Sequence, residues 1–227
     1  DITEAQGKAI VEKLFKDRKV SGITFLGDWN SDIKTMNYQA TVDNMSATVQ
    51  LAKKGGMPIS INTHRTVTNP YYNEEECSKF AQDFLVACGF ENMSQVWICN
   101  DNSTVYINFA PKINGIIYYP DLIKIKVASD NGDILGLEAK SYAYNHTTRN
   151  LPTPALTAEQ AKTKVSMKAS LTGGRLALIP YKTNQELLTY EFQASYKGNY
   201  YIYIDAVTGE EVNILYVISS THGDLLM

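Results

Sequence analysis

The stretch DAVTGEEV, from Asp205 to Val212, lies between two runs rich in β-forming residues, YYIYI and NIL. Such a pattern is typical of a β-hairpin, and Gly209 can take the left-handed conformation that the turn needs. Two other stretches have a glycine at the same distance after a strand-like run, AKKGGMPI at 52–59 and ASDNGDIL at 128–135. The three glycines, Gly56, Gly132 and Gly209, are 76 and 77 residues apart, which indicates an internal repeat.

A segment typical of a helix start precedes each of these glycines: TEAQ at 3–6, NEEE at 73–76 and TAEQ at 157–160. In each, Thr or Asn can accept a hydrogen bond from the first turn, and Gln or Glu three residues later can reach back to the cap. Apolar residues then recur at helical spacing, and β-like runs follow before the glycine. The sequence therefore predicts an α+β protein of three tandem units, each with one helix packed on an antiparallel sheet of about four strands. We expect their boundaries at 1–68, 69–145 and 146–227, the third beginning with a linker that contains LPTP.

A capped helix, a strand-rich middle and a closing hairpin built on Asp-Ala-x-Thr-Gly-Glu resemble the PepSY domain, most clearly at 205–212. The runs GIIYYPDLIKIKV (115–127), DILGLEAKSY (133–142) and RLALIP (175–180) are similar to the carboxy-terminal part of the YpeB family of spore germination proteins. This resemblance implies PepSY-like units in tandem. It also implies that an amino-terminal membrane-associated segment and a helical region precede this part in full-length members of the family.

The composition excludes several classes of function. Hydrophobic residues make up 44% and charged residues 20%, and no apolar run approaches the length of a membrane span. The net charge of −3 and the absence of a Lys/Arg-rich cluster argue against nucleic acid as a partner. We expect a soluble fragment, with membrane contact only through a segment that lies ahead of it.

No residue pattern in the sequence indicates catalysis. The three histidines, His64, His146 and His222, are scattered, and none lies in a nucleophile elbow or a metal-binding helix motif. Acidic residues concentrate at helix starts and in turns, where helix-dipole compensation and turn formation explain them. The sequence therefore predicts a protein that is not an enzyme and that binds no cofactor or metal.

Three cysteines, Cys77, Cys88 and Cys99, are spaced by eleven residues. Within one helix, Cys77 and Cys88 would lie about 16 Å apart along the axis, too far for a disulfide. A bridge between Cys88 and Cys99 is geometrically possible, but small core residues are the favoured interpretation.

Tyrosine is the strongest compositional bias, with fifteen residues, and it suits both a half-buried strand and a recognition surface. In YYPD at 118–121, consecutive strand tyrosines point to opposite faces, so one is expected to leave the core. Pro120 cannot donate to a sheet ladder, which indicates an edge or a bulge, and Asp121 can bond to nearby backbone NH groups. We therefore predict a partner-binding rim of Tyr118, Tyr119, Pro120 and Asp121, with ordinary sheet packing as the alternative.

The resemblance to the YpeB family also implies a partner and a location. The partner is a spore cortex-lytic enzyme of the SleB type, which the protein would stabilise or restrain in the dormant spore until germination. The location is extracytoplasmic, at the spore inner membrane or the adjoining cortex layer. Two alternatives are a peptidase-inhibitor-like PepSY module and a glycan-binding module that holds cortex peptidoglycan against Trp29, Trp97 and the tyrosines.

Overall fold

The computed structural model describes residues 1–166, 168–220 and 223–226, so His222 lies outside the described part of the chain. The helices are α1 (Glu4–Leu14), α2 (Glu74–Ala87), α3 (Lys140–Asn145) and α4 (Ala158–Lys162), and a 3₁₀ turn spans Tyr119–Asp121. The strands are β1 (Val20–Asn30), β2 (Lys34–Val42), β3 (Met45–Ala52), β4 (Pro58–Thr63), β5 (Met93–Asp101), β6 (Thr104–Ile113), β7 (Ile116–Tyr118), β8 (Ile123–Ala128), β9 (Ile134–Glu138), β10 (Ser170–Tyr181), β11 (Gln185–Ser195), β12 (Asn199–Asp205), β13 (Glu211–Ser220) and β14 (Gly223–Leu226). The predicted α+β class is confirmed.

The chain forms two compact units. Unit 1 contains Asp1–Phe109 and Leu122–Asn145, and unit 2 contains Ala110–Asp121 and His146–Met227. A segment from the middle of the chain thus belongs with the carboxy-terminal residues. The division into three units along the sequence stays a prediction.

Unit 1 is built on antiparallel strand pairs in the order β1-β2-β3-β4-β9-β8-β6, and β5 also pairs with β6. In β8, Ile123, Ile125 and Val127 are buried whereas Lys124 and Lys126 are exposed, as the alternation in the sequence predicts. One core contains buried residues from α1, α2 and the strands, among them Val11, Tyr38, Leu85, Phe90 and Phe109.

Unit 2 has a mixed arrangement of strands. The end of β6, at 112–113, pairs antiparallel with β7, and β7 pairs parallel with β10. Strands β10 to β14 then pair antiparallel in sequence order. Ala161 from α4 contributes to the core of this unit, together with Phe192, Ile202 and Ile204.

The same main-chain hydrogen bond joins each of the three capped helices to its glycine hairpin. All three predicted capping boxes are present, at Thr3, Asn73 and Thr157. The residue before each cap donates its NH to the carbonyl oxygen three residues before the hairpin glycine: Ile2 to Lys53 at 2.8 Å, Tyr72 to Ser129 at 2.7 Å and Leu156 to Ala206 at 3.2 Å. We call this arrangement the helix–hairpin junction.

The glycine of each junction has a left-handed backbone, and Gly56 and Gly132 also pack on their helices. Its φ is 74° at Gly56, 79° at Gly132 and 77° at Gly209. An added Cβ would meet Ile10 at Gly56 and Phe80 at Gly132, in each case the seventh residue after the cap, whereas at Gly209 it would first meet Leu156, the residue before the cap. At Gly56 and Gly132, glycine is therefore required for two reasons at once, the backbone conformation and the close approach of the helix.

Cys88 carries a free thiol, so the bridge to Cys99 that the sequence left open is not formed. Burial raises the pKa of Cys77 to about 11 and that of Cys88 to about 12. Helix α3 ends at Asn145, directly before the linker that contains LPTP. No helix in the described ranges is long and apolar enough to cross a membrane.

Replacing Gly132 with alanine should destabilise unit 1 more than replacing Gly55. Both residues have a left-handed backbone, which costs a side chain about 1–2 kcal/mol. A Cβ at Gly132 would also lie 2.8 Å from the Phe80 ring, whereas a Cβ at Gly55 has open space. Urea unfolding of the two variants measures the difference, and equal losses would contradict the role of the close approach.

Candidate partner-binding site

The predicted rim YYPD is largely inside unit 2. Tyr118 is 7% exposed and Asp121 is 0% exposed, Pro120 is buried, and Tyr119 is half-buried. The expectation of an outward tyrosine at an edge is wrong, because β7 is paired on both sides, to β6 and to β10. Pro120 lies in the 3₁₀ turn beyond β7, where no ladder donor is needed. Partner binding by this segment stays a prediction.

Asp121 is at the centre of a buried ionic cluster. Arg149 donates to both carboxylate oxygens of Asp121, at 2.9 and 2.7 Å, and to both oxygens of Glu186, at 2.7 and 2.8 Å. His146 Nδ1 lies 2.7 Å from Asp121 Oδ2, and the guanidinium of Arg149 also lies over the Tyr118 ring. The hydrogen bonds to Glu186 and then to Asp121 raise the pKa of Arg149, so it stays charged. The cluster holds the 3₁₀ turn against the residues that follow α3.

A second cluster surrounds Glu191, which is 3% exposed. The hydroxyls of Tyr119 and Tyr203 donate to Glu191 Oε2 at 2.6 and 3.1 Å, and Arg175 donates to Oε1 at 2.8 Å. Burial and then the Glu191 charge raise the pKa of both tyrosines. Because these polar groups already bond to one another, the cluster explains stability rather than recognition.

Replacing Arg149 with methionine should cost about 3–5 kcal/mol of stability, because Asp121 would remain buried after losing both guanidinium hydrogen bonds. Adding Asp121→Asn to this variant should recover part of the loss. Urea unfolding of both proteins and of Arg175→Met gives the comparison. Arg175 is more exposed and leaves Glu191 two tyrosine donors, so its loss should cost less. A larger loss for Arg175→Met would contradict this assignment.

The two described histidines make local contacts. His64 Nε2 lies 3.0 Å from the side-chain amide of Asn62, and His146 contacts Asp121. Within the described ranges, no group of three or more His, Cys, Asp or Glu side chains is placed to hold a metal ion.

A cleft of about 750 Å³ in unit 1 is open to a partner. It lies where the first and second helix–hairpin junctions face each other, and both Gly56 and Gly132 line it. The ends of α1 and α2 form its sides. Half-buried apolar side chains line much of it: Ile10, Leu14, Met57, Tyr72, Phe80 and Phe84.

Arg18 lies on the wall of this cleft with an incomplete set of partners. Its Nε donates to Asp43 at 2.7 Å and lies 3.6 Å from Asp133. The side chain is only 9% exposed, and both Nη atoms are buried without a hydrogen-bond partner. The hydrogen bond from Arg18 and that from the Lys19 NH lower the pKa of Asp43.

Arg65, behind the second hairpin, is bonded differently. Both of its Nη atoms donate to Asp130, each at 2.6 Å, although its Nε is buried without a partner. The hydrogen bonds from Arg65 hold the pKa of Asp130 below its ordinary value. Arg65 therefore binds the turn next to the cleft, whereas Arg18 keeps two donors unused.

Unit 1 should lose stability in acid, because the contribution of the Arg65–Asp130 ion pair is lost when Asp130 is protonated. The pKa of Asp130 is lower in the folded chain than in the unfolded chain, so its contribution is complete above the unfolded value. The contribution is lost as the pH falls through the lowered folded value, because the unfolded chain binds the proton more readily. Urea midpoints between pH 7 and pH 3 should fall less steeply for Asp130→Asn than for the original chain, and parallel curves would contradict the expectation.

The outer strand of unit 1 is a second exposed feature. Strand β1 pairs with β2 and, among the described residues, with no other strand. It has two register shifts, and Trp29 near its end is 63% exposed. Bulges of this kind discourage non-specific pairing at an edge. Trp97, the other tryptophan considered for glycan binding, is half-buried.

The three helix–hairpin junctions place this chain in a class of proteins built from repeated units of one helix and one hairpin. Residues 1–152 match the family described as YpeB sporulation, PepSY1 and PepSY2 domains, and residues 155–215 match the peptidase propeptide and YPEB domain. The chain belongs to the YpeB family of sporulation proteins.

Individual relatives agree with this assignment. The chain is 28% identical to sporulation protein YpeB of Oceanobacillus iheyensis over 93% of its own length and 48% of the relative, and 35% identical to that of Halalkalibacterium halodurans over 73% and 37%. It thus spans about half or less of these relatives' length. The Bacillus megaterium YpeB C-terminal domain has a similar structure, with a TM-score of 0.84 and 26% identity, covering 95% of this chain and 98% of that one.

The sequence did not reveal the cleft or the buried, unpaired donors of Arg18. Nothing in the run FKDRKV at 15–20 distinguishes one basic residue from its neighbours. One signal was present in the repeat: the seventh residue after the cap is large and apolar in the first two copies, Ile10 and Phe80, but is Lys164 in the third.

Proposed function

We propose that this chain is the partner-binding part of a spore germination protein, and that its partner is a cortex-lytic enzyme of the SleB type. The chain binds this enzyme and stabilises or restrains it until germination. It does so without catalysis, at the outer face of the inner spore membrane or in the adjoining cortex layer. Membership of a sporulation family supports the setting.

The cleft of unit 1 is the observation that carries this proposal. Apolar side chains that remain half-buried at a concave surface are typical of a site that buries them on binding. By contrast, the buried acidic groups Asp121 and Glu191 are fully occupied by Arg, Tyr and His side chains. The chain thus offers a surface for recognition and keeps its buried carboxylates for stability.

Inhibition of a peptidase is a second candidate, since the family that matches residues 155–215 is described as a peptidase propeptide domain. The two candidate functions differ in the enzyme that is bound, and in both the chain acts by binding that enzyme. A panel with one cortex-lytic enzyme and one extracellular peptidase separates them, because only the true partner should bind and change its rate or its lifetime.

Filling the cleft should weaken binding of the cortex-lytic enzyme. Ala87→Trp places a large ring among the residues that line the cleft, whereas Val86→Trp changes the neighbouring exposed position of α2 outside it. We expect a loss of about tenfold or more in affinity for Ala87→Trp and little change for Val86→Trp, since anchor pockets dominate interface energies. Calorimetric titration of purified enzyme measures both.

The same proteins allow two further checks. The enzyme's survival in protease, or its rate on isolated cortex, should change when the original chain is added. Equal affinities for the two tryptophan variants would remove the cleft from consideration. Tight binding of the chain to isolated cortex without enzyme would favour the glycan-binding alternative instead.

A further inference from the structure

Among the described residues that line the cleft, Arg18 has buried side-chain donors without a hydrogen-bond partner. A buried guanidinium normally bonds through all of its NH groups, because an unpaired buried donor costs about 1–3 kcal/mol and more when it is charged. Arg18 donates a hydrogen bond through Nε to Asp43 and leaves Nη1 and Nη2 without hydrogen-bond partners, although only 9% of its side chain is exposed. Its Cζ lies 5.8 Å from the centre of the Phe15 ring.

The unused donors form the fork that recognises a carboxylate. Two parallel N–H groups of arginine match the two oxygens of a carboxylate in geometry and in charge. Asp133 does not supply this bond, since neither Nη atom has a hydrogen-bond partner and the ion-pair distance from Asp133 Oδ2 is 3.6 Å, to Nε. A carboxylate brought by a ligand would therefore satisfy donors that the chain itself leaves unsatisfied.

The surroundings indicate the rest of the ligand. Phe15 and Arg18 lie on the same wall, and the apolar residues of α1 and α2 continue from it across the cleft. A volume of about 750 Å³ holds several side chains rather than one small anion. Charges at the rim are of both signs, with Lys13 and Lys16 near Asp17 and Asp83, so they do not by themselves select a strongly charged ligand.

We propose that the cleft binds a peptide segment of the partner in which an Asp or Glu side chain stands beside large apolar side chains, and that Arg18 binds its carboxylate through Nη1 and Nη2. This inference rests on the proposed function, in that the partner enzyme supplies the segment. Both Nη atoms are covered in the unbound chain, so binding includes a turn of the Arg18 side chain toward the cleft. The gain from pairing these donors drives that turn.

The first arm of the test uses short peptides and needs no enzyme. N-acetyl-Leu-Glu-Leu-amide, its Gln counterpart and N-acetyl-Leu-Leu with a free carboxyl end are titrated into the chain and followed by NMR. We expect the Glu peptide to bind about tenfold more tightly than the Gln peptide, as a charge-assisted hydrogen-bond pair implies. Tighter binding of the free-ended peptide than of the Glu peptide would overturn the choice of a side-chain carboxylate.

Variants assign the preference to Arg18. Arg18→Met should abolish the difference between the Glu and Gln peptides, and Arg18→Lys should keep only part of it, because a lysine lacks the fork. Lys16→Met is the matched control: Lys16 lines the same cleft but is exposed, so its loss should leave the preference intact. Equal preferences in the original chain and in Arg18→Met would overturn the proposal.

The melting temperature of Arg18→Met separates a ligand-binding role of Arg18 from a merely structural one. Removing two unsatisfied buried donors should leave the melting temperature of Arg18→Met unchanged or raise it. If Arg18 serves only to bind Asp43 and Asp133, the melting temperature should fall and the peptide preference should not change.

The second arm repeats the affinity measurement with the cortex-lytic enzyme. Weaker binding by Arg18→Met, together with the Glu preference, supports both the function and the inference. Binding that Arg18→Met leaves unchanged, without a Glu preference, overturns the inference and leaves the function standing. A Glu preference without any enzyme binding overturns the proposed function and retains the carboxylate site.

Discussion

The hydrogen bond from the residue before each helix cap to the hairpin carbonyl is the constraint on which the rest of the structure depends. It fixes where the helix begins relative to the turn, and the capping box fixes the direction in which the helix leaves. In unit 1, a left-handed glycine then brings each turn against its helix, at Ile10 and at Phe80. Since the bond uses only backbone atoms, it tolerates different side chains at Ile2, Tyr72 and Leu156.

The cleft follows from this constraint. Two junctions of the same geometry occur in unit 1, and each contributes a glycine and a large apolar helix residue to one concavity. The repeat that stabilises the unit thus also creates the surface that we assign to binding. Arg18 follows α1 closely enough to lie on that wall, while its Nε is held by Asp43.

Local sequence signals were sufficient for the fold class and for the junctions, because capping boxes and glycine turns are decided by a few adjacent residues. Thr3, Asn73 and Thr157 were recognisable as caps for this reason. The position of Tyr118 and Asp121 was not recognisable, since it depends on the parallel pairing of β7 with β10 and on Arg149, which are distant in sequence. The unpaired donors of Arg18 were equally hidden, because a missing bond leaves no trace in the residue pattern.

The discontinuous composition of unit 2 has a consequence for the order in which the protein is made. Residues 110–121 leave the ribosome before α3, yet the side chains that bond to Tyr119 and Asp121, among them Arg149 and Glu191, come later. At about 5–20 residues per second, the segment waits for several seconds without them. Once Asn145 has been synthesised, unit 1 has all of its residues, whereas unit 2 still lacks everything from His146 onward. Synthesis from the amino terminus therefore completes the chain of unit 1 first. Residues 110–121 can pack with the rest of unit 2 only after residues 146 onward have been made.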